Sequence, residues 1–89
     1  EPVFMKISEI ENSNNQKIAV KARIISVFFS KNTLFLQLYD GNSLKALMFN
    51  PSIEVLGTAE RGNQVLVVGR LQKSNSGKTF FITELRKTS

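Results

Sequence analysis

The side chains with most chemistry to offer in this 89-residue sequence lie close together at regular spacing. Phe35, Gln37 and Tyr39 alternate with Leu34, Leu36 and Leu38, so an extended chain puts the first three on one face and the leucines on the other. A few residues on, Lys45, Leu47 and Phe49 alternate with Ala46 and Met48. A hairpin through Asp40-Gly41-Asn42-Ser43 brings Phe35, Tyr39, Lys45 and Phe49 to one exposed sheet face. Flat rings beside an ammonium group suit a ligand that is itself flat and anionic, because the rings stack while the cation neutralises.

Other chemistries lack their parts. With neither cysteine nor histidine, the chain offers no disulfide, no thiolate or imidazole metal ligand and no usual general base. Asp40, Glu54, Glu60 and Glu84 are scattered without paired spacing, and Asp40 is better placed to open a turn through nearby backbone N–H groups. No glycine-rich phosphate loop leads into a helix, and no Ser, Lys or Tyr has an activating partner. A protein without catalysis, metal or cofactor is expected. Twelve Lys and Arg against seven Asp and Glu leave a net charge of +5, which suits a polyanionic partner, although a basic surface also serves solubility alone. No apolar run approaches the roughly 18 residues of a membrane span, so no membrane partner is expected; the absence of cysteine gives secretion no support, and an intracellular setting (cytoplasmic, nuclear or nucleoid) is expected.

The elements that must hold these side chains follow in chain order. Residues 1–89 amount to one domain with one core, and Glu1-Pro2 reads as the edge of a piece cut from a longer protein. Residues 3–10 form a lead-in, either a helical turn or an irregular strand, that packs Ile7 and Ile10 at one end of the domain; residues 11–16 form a loop. Ile18, Val20, Ala22 and Ile24 alternate with Lys17, Ala19, Lys21 and Arg23 in a long first strand. The pattern breaks after Ile24, as a bulge or bend would make it. One member of each adjacent pair, Phe28/Phe29 and Phe80/Phe81, is expected in the core and the other partly exposed; period alone does not say which.

Ser30-Lys31-Asn32-Thr33 turns the chain into the central hairpin. Asn50-Pro51 ends its second strand, and Ser52 caps a short helix through Ile53 and Leu56 that stops at Gly57 or runs irregularly to Ala59. A turn at residues 60–63 leads to a fourth strand, residues 64–73, in which Gly69 marks a bulge or a barrel corner. Ser74-Asn75-Ser76-Gly77 is a hairpin turn into a last strand, residues 78–85, with Phe80 and Ile82 on one face and Phe81, Thr83 and Leu85 on the other. The basic tail, residues 86–89, is expected to fray.

Five strands, a long bent first strand and a short helical or irregular segment between strands three and four describe an all-β, five-stranded Greek-key barrel; closure removes the free edges of so small a sheet. An SH3-like barrel or open sheet competes, but the position of the longest connection favours the oligonucleotide/oligosaccharide-binding (OB) barrel. The run LFLQLYDGNSLKALMF resembles the second and third strands of OB domains of the anticodon-binding and replication-protein single-strand-binding type, and GNQVLVVGRLQKS is similar to their fourth strand, with Gly62, Val65, Val67 and Gly69 matching a Gly-x-x-Val-x-Val-x-Gly pattern. The resemblance covers residues 17–85. It implies that Phe35 occupies a base-stacking position and Lys45 a polar base-contacting one. Tyr39 departs from the Leu-Arg-Asp strand end of the synthetases, which weakens an anticodon assignment and leaves a general single-strand binder intact.

On that footing the expected function is binding of single-stranded DNA or RNA, DNA slightly ahead, in replication, repair or tRNA handling. Phe35, Tyr39 and Phe49 stack bases and Gln37 lies among them, while Lys31 and Lys45, with Lys73 and Lys78 around the last hairpin, meet phosphates. The different-class alternative is a protein-docking patch of Phe35, Tyr39, Leu47 and Phe49, contacting a partner or further domains of the parent chain. Oligosaccharide binding also uses aromatic faces but gives no reason for the lysines. The bland alternatives are core packing for Phe35, a cover over the barrel end for Phe49, and plain solvation for each lysine.

Overall fold

A computed structural model describes residues 2–13 and 16–88; Glu1, Asn14, Asn15 and Ser89, which figure in the expectations above, lie outside the described residues. The strands are β1 (Val3–Phe4), β2 (Ile18–Ser30), β3 (Thr33–Tyr39), β4 (Ser43–Phe49), β5 (Gln64–Ser74) and β6 (Gly77–Lys87), with a 3₁₀ helix at Ile7–Asn12 and α1 at Ile53–Thr58. Five strands close a ring in the order β2-β3-β4-β6-β5, shut by pairing of β5 with β2. β4 and β6 run parallel and the other ring pairs antiparallel, giving the expected Greek-key barrel. The lead-in resolves into both of its options: β1 pairs in parallel with Ile18 and Ala19, and the 3₁₀ helix buries Ile7 and Ile10.

β2 pairs along both of its edges. Its first half pairs with β5 and its second with β3, and the register slips between Ile24 and Ser26. The extra residue is Ile25. Before it, Ile18, Val20, Ala22 and Ile24 point inward and are buried; after it, Phe28 shares the outer face with its partner Phe35, while Val27 and Phe29 lie opposite Leu36 and Leu34 on the inner side. A one-residue slip exchanges the faces of a strand, so this bulge is what turns Phe28 outward. Beyond Arg23 β2 no longer pairs with β5, and Val27 and Phe29 stay exposed in spite of their inward direction. Phe28 and Phe29 are therefore both exposed, which corrects the expectation that one of them is core. The Phe80/Phe81 pair behaves as expected, with Phe80 fully buried and Phe81 half-buried.

A second slip faces Gly69. Val68 pairs with Glu84 and Gly69 with Ile82, so Thr83 on β6 is the extra residue, and its hydroxyl donates to the Val68 carbonyl at 3.1 Å. This corrects the expected faces of the last strand: Leu85 joins Phe80 and Ile82 in the core instead of following Phe81 and Thr83. Gly69 leaves room for that approach, since a Cβ there would meet the Phe81 carbonyl oxygen at 2.0 Å. β6 also runs on to Lys87, and the Thr88 amide donates to the Gln64 carbonyl, so Arg86 and Lys87 belong to the sheet and not to a frayed tail.

Ile10, Ile18, Ile24, Leu34, Leu38, Val65, Val67 and Phe80 form the centre of the core, each contributing about 1.5–3 kcal/mol by burial. The 3₁₀ helix closes one end. α1, capped by the Ser52 hydroxyl accepting from the Val55 amide at 3.2 Å, packs Val55 and Leu56 against the core and continues through Gly57 to Thr58.

Candidate nucleic-acid interface

The outer face of the ring carries a row of side chains running across the strands. Phe28 is the partner of Phe35, Phe35 of Leu47, Leu47 of Phe81, and Phe81 of Arg70, so β2, β3, β4, β6 and β5 each supply one member. Registered partners share a face, and with strands spaced about 4.8 Å apart the four apolar members span roughly 14 Å. Phe28 and Phe35 approach at 6.0 Å between ring centroids with planes tilted by 41°. Phe49, one step along β4, stacks on Phe81 at 5.8 Å and 26°. Two aromatic pairs thus flank Leu47. Phe28 and Phe49 are each about 60% exposed (62% and 60%) and Phe35 is 41% exposed. None of these three is core, so burial does not account for them.

The next row is polar. Ser26 pairs with Gln37 and Gln37 with Lys45, which sets an amide and an ammonium beside the rings. A shallow groove of about 190 Å³ lies between the rows, bounded by Phe28, Phe35, Gln37 and Lys45. Tyr39 shares the face but stands four residues beyond Phe35, about 13 Å along β3, where its partners are Arg23 and Ser43. Phe49 stands one row beyond Phe35, and Tyr39 one row beyond Gln37 and Lys45 in the other direction, so the five candidates lie on one face with Phe49 and Tyr39 at its opposite ends. Three members of the row, Phe28, Phe81 and Arg70, were not among the residues singled out from sequence. For Phe81 a signal existed, since it alternates with Phe80 and Ile82.

The hairpin tips differ in chemistry. Lys31 and Asn32 both adopt positive φ, 50° and 62°, as a two-residue turn matched to strand twist requires. That turn is clasped to the end of β4: the Asn50 amide donates to the Asn32 carbonyl at 2.9 Å, and the Asn32 side chain donates to that of Asn50. Lys31 projects from a tip held beside Phe49. At the other hairpin, Lys73 and Lys78 are cross-strand partners, and both are held by Glu11 of the 3₁₀ helix. Lys73 Nζ donates to the Glu11 carbonyl at 2.7 Å, and Lys78 pairs with the Glu11 carboxylate. The Lys78 hydrogen bond and charge, with Lys73 adding to the field, hold the Glu11 carboxyl below its ordinary value of 4.5.

Asp40 has the turn-forming role expected of it. Its carboxylate accepts from the Asn42 amide at 3.3 Å and, across the barrel end, from the Ile7 amide at 2.9 Å. Among the described residues no three acidic side chains converge on a point where a cation would sit. No described helix is long and apolar enough to cross a membrane.

No protein-family model matches the chain, and no curated protein matches it in sequence. Solved structures do match in shape. Asparaginyl-tRNA synthetase of Entamoeba histolytica superposes with a TM-score of 0.80 at 15% identity over 100% of this chain, which spans 24% of the synthetase chain. A chain of a replication protein A heterotrimer bound to single-stranded DNA gives 0.70 at 11% identity, covering 82% of this chain and 57% of its own. An OBody bound to hen egg-white lysozyme gives 0.80 at 16% identity, covering 96% and 90%. At such identities the likeness concerns backbone shape, and the shape is the one that strand order, closure and the helix after β4 already describe: the chain is an OB-fold barrel.

Proposed function

We propose that this domain binds single-stranded nucleic acid across the outer face of β2, β3, β4 and β6, without chemistry of its own. The observation that carries the reading is the row Phe28, Phe35, Leu47 and Phe81, with Phe49 stacked beside it and Gln37 and Lys45 alongside. Unpaired bases have two free π-faces, and each stacked base contributes about 1–3 kcal/mol with little sequence preference. Phosphates passing the polar row meet Lys45, and those leaving at the hairpin tip meet Lys31. Single-stranded DNA is favoured over RNA: the replication protein A structure is of a DNA-bound OB protein, and Tyr39 stands where the synthetase resemblance calls for a cation. This reading suits a place in replication, repair or tRNA handling, as a separate small binder or as the gripping domain of a larger protein.

Fluorescence anisotropy of labelled oligo-dT and oligo-U against a matched duplex, at two salt concentrations, tests it. Salt-sensitive binding to single strands that falls about tenfold in Phe35→Ala is expected. No binding at low salt by either oligomer overturns the reading.

One observation favours a second reading. Phe28, Phe35 and Phe49 form an exposed apolar surface, and the lysozyme-bound OBody is an OB barrel engaged with a protein. Docking of a protein on the same face is expected to respond little to salt, which separates it from phosphate contact in the same titration.

A further inference from the structure

Lys73 and Lys78 face each other across the β5–β6 hairpin, one residue in from the Ser74 and Gly77 pair at its tip. Both turn toward a residue more than sixty positions earlier in the chain. Glu11 presents its main-chain carbonyl to Lys73 and its carboxylate to Lys78, so its negative charge is taken by Lys78 while a neutral acceptor holds Lys73 beside it. Glu11 keeps an exposed side chain throughout, 67% accessible, so no core packing holds it there. Its position comes from the 3₁₀ helix, whose start is fixed by the Asp40 carboxylate accepting from the Ile7 amide and whose Ile7 and Ile10 are buried.

The same carboxylate borders the platform. Glu11, Lys78 and Lys45 line one open cleft of about 490 Å³ between the 3₁₀ helix, the start of β4 and the β5–β6 hairpin, over a floor that includes Ile10, Leu44 and Leu71. A strand that left the polar row at Lys45 toward the hairpin would cross this cleft and bring its phosphates to Glu11 beside Lys78.

We infer that Glu11 is a built-in competitor for phosphate: in the free domain its carboxylate takes Lys78, beside Lys73, and a nucleic-acid strand gains the charge of Lys78 only by displacing that carboxylate. The inference rests on the platform reading and adds a regulator to it. Such a competitor sharpens selection, because a ligand held by charge alone must first break an internal pair, whereas a strand already stacked on Phe28 and Phe35 brings its next phosphate to Lys78 at high local concentration. Exposed ion pairs are weak, so the pair yields to a properly placed ligand.

The test compares four proteins with labelled oligo-dT by anisotropy across a salt series: the unaltered domain, Glu11→Gln, Lys73→Ala/Lys78→Ala, and the triple variant. All three substitutions are at exposed positions, and thermal unfolding checks that each protein is folded. Glu11→Gln is expected to bind roughly two- to fivefold more tightly at low salt than the unaltered domain, the range set by one exposed pair. Its salt dependence should steepen by about 0.7, for the one lysine, Lys78, whose ionic partner is removed; the main-chain carbonyl that accepts from Lys73 is unchanged. In the background lacking both lysines, the same substitution should do nothing. A gain of equal size in both backgrounds means that only net charge has changed, and it overturns the competitor; so does an unaltered or weakened affinity of Glu11→Gln when the unaltered domain binds. Binding seen only after Glu11→Gln supports the competitor in its strongest form, with the pair shutting the site. Absence of binding by both proteins removes the platform reading and the competitor together.

Discussion

The two hairpins that flank the aromatic row have the same ingredients in opposite states. Each tip carries lysine near a turn containing asparagine. At the β2–β3 tip the backbone is clasped, through Asn32 and Asn50, while Lys31 projects outward; at the β5–β6 tip Lys73 and Lys78 are themselves the clasped groups, held by Glu11. A basic residue in a ligand-facing loop is thus not a fixed quantity of binding charge. What it offers depends on whether a neighbouring anion has already taken it.

The comparison can be broken most forcefully from within β5. Gly69→Ala should destabilise the domain by about 2–3 kcal/mol, read by urea unfolding, because the new methyl group meets the Phe81 carbonyl and must part β5 from β6. The β2–β3 side should retain its pairing longest, visible as slower amide exchange at residues 33–39. Next in size are the rings. Phe28→Ala and Phe35→Ala should each weaken oligo-dT binding by about 1–2 kcal/mol, with a double variant losing less than the sum, because the two rings touch. The tips then separate by charge: Lys31→Ala should flatten the salt dependence by about 0.7, whereas Lys78→Ala alone should flatten it less, since part of its charge is already neutralised.

The smallest effect is on stability against pH. The Glu11 carboxyl is held below its ordinary value in the folded domain, so its pair with Lys78 contributes in full above that ordinary value and is lost as pH falls through the lowered one. The stability difference between the unaltered domain and Glu11→Gln should close over that acidic window and stay constant above it. A difference that persists at lower pH would show that glutamine acts through something other than the lost charge.

Much of this was legible in the residues because period-two alternation with well-marked turns leaves few choices. The inward leucines of β3, the Asp40 turn, the Ser52 cap and the outward placing of Phe35, Lys45 and Phe49 all follow from local pattern. Two kinds of fact did not. Alternation reports that a strand changes parity but not which residue is extra, so Phe28 and Leu85 were placed only by the register slips at Ile25 and Thr83. The capture of Lys73 and Lys78 by Glu11 joins residues more than sixty positions apart, on surface side chains with no hydrophobic pattern to announce the contact. The row itself, with one member from each of five strands, is a property of closure, which no single stretch displays.

The slip at Thr83 has a consequence of a different kind, for which changes the chain can absorb. With Thr83 present, Glu84 lies on the outside within 3.9 Å of Arg86. Remove Thr83, and Ile82, Glu84 and Leu85 fall into plain alternation with their faces unchanged, so a deletion costs the hydroxyl contact and the local bend but leaves the core as it is. Keep Thr83 and pair it in a straight ladder, and parity would aim the Glu84 carboxylate among Val67, Phe80 and Ile82, which are apolar. A buried, unpartnered charge costs several kcal/mol, comparable to the whole stability of a domain this size. With these residues the chain tolerates one fewer at this position, but it does not tolerate the same number without the slip.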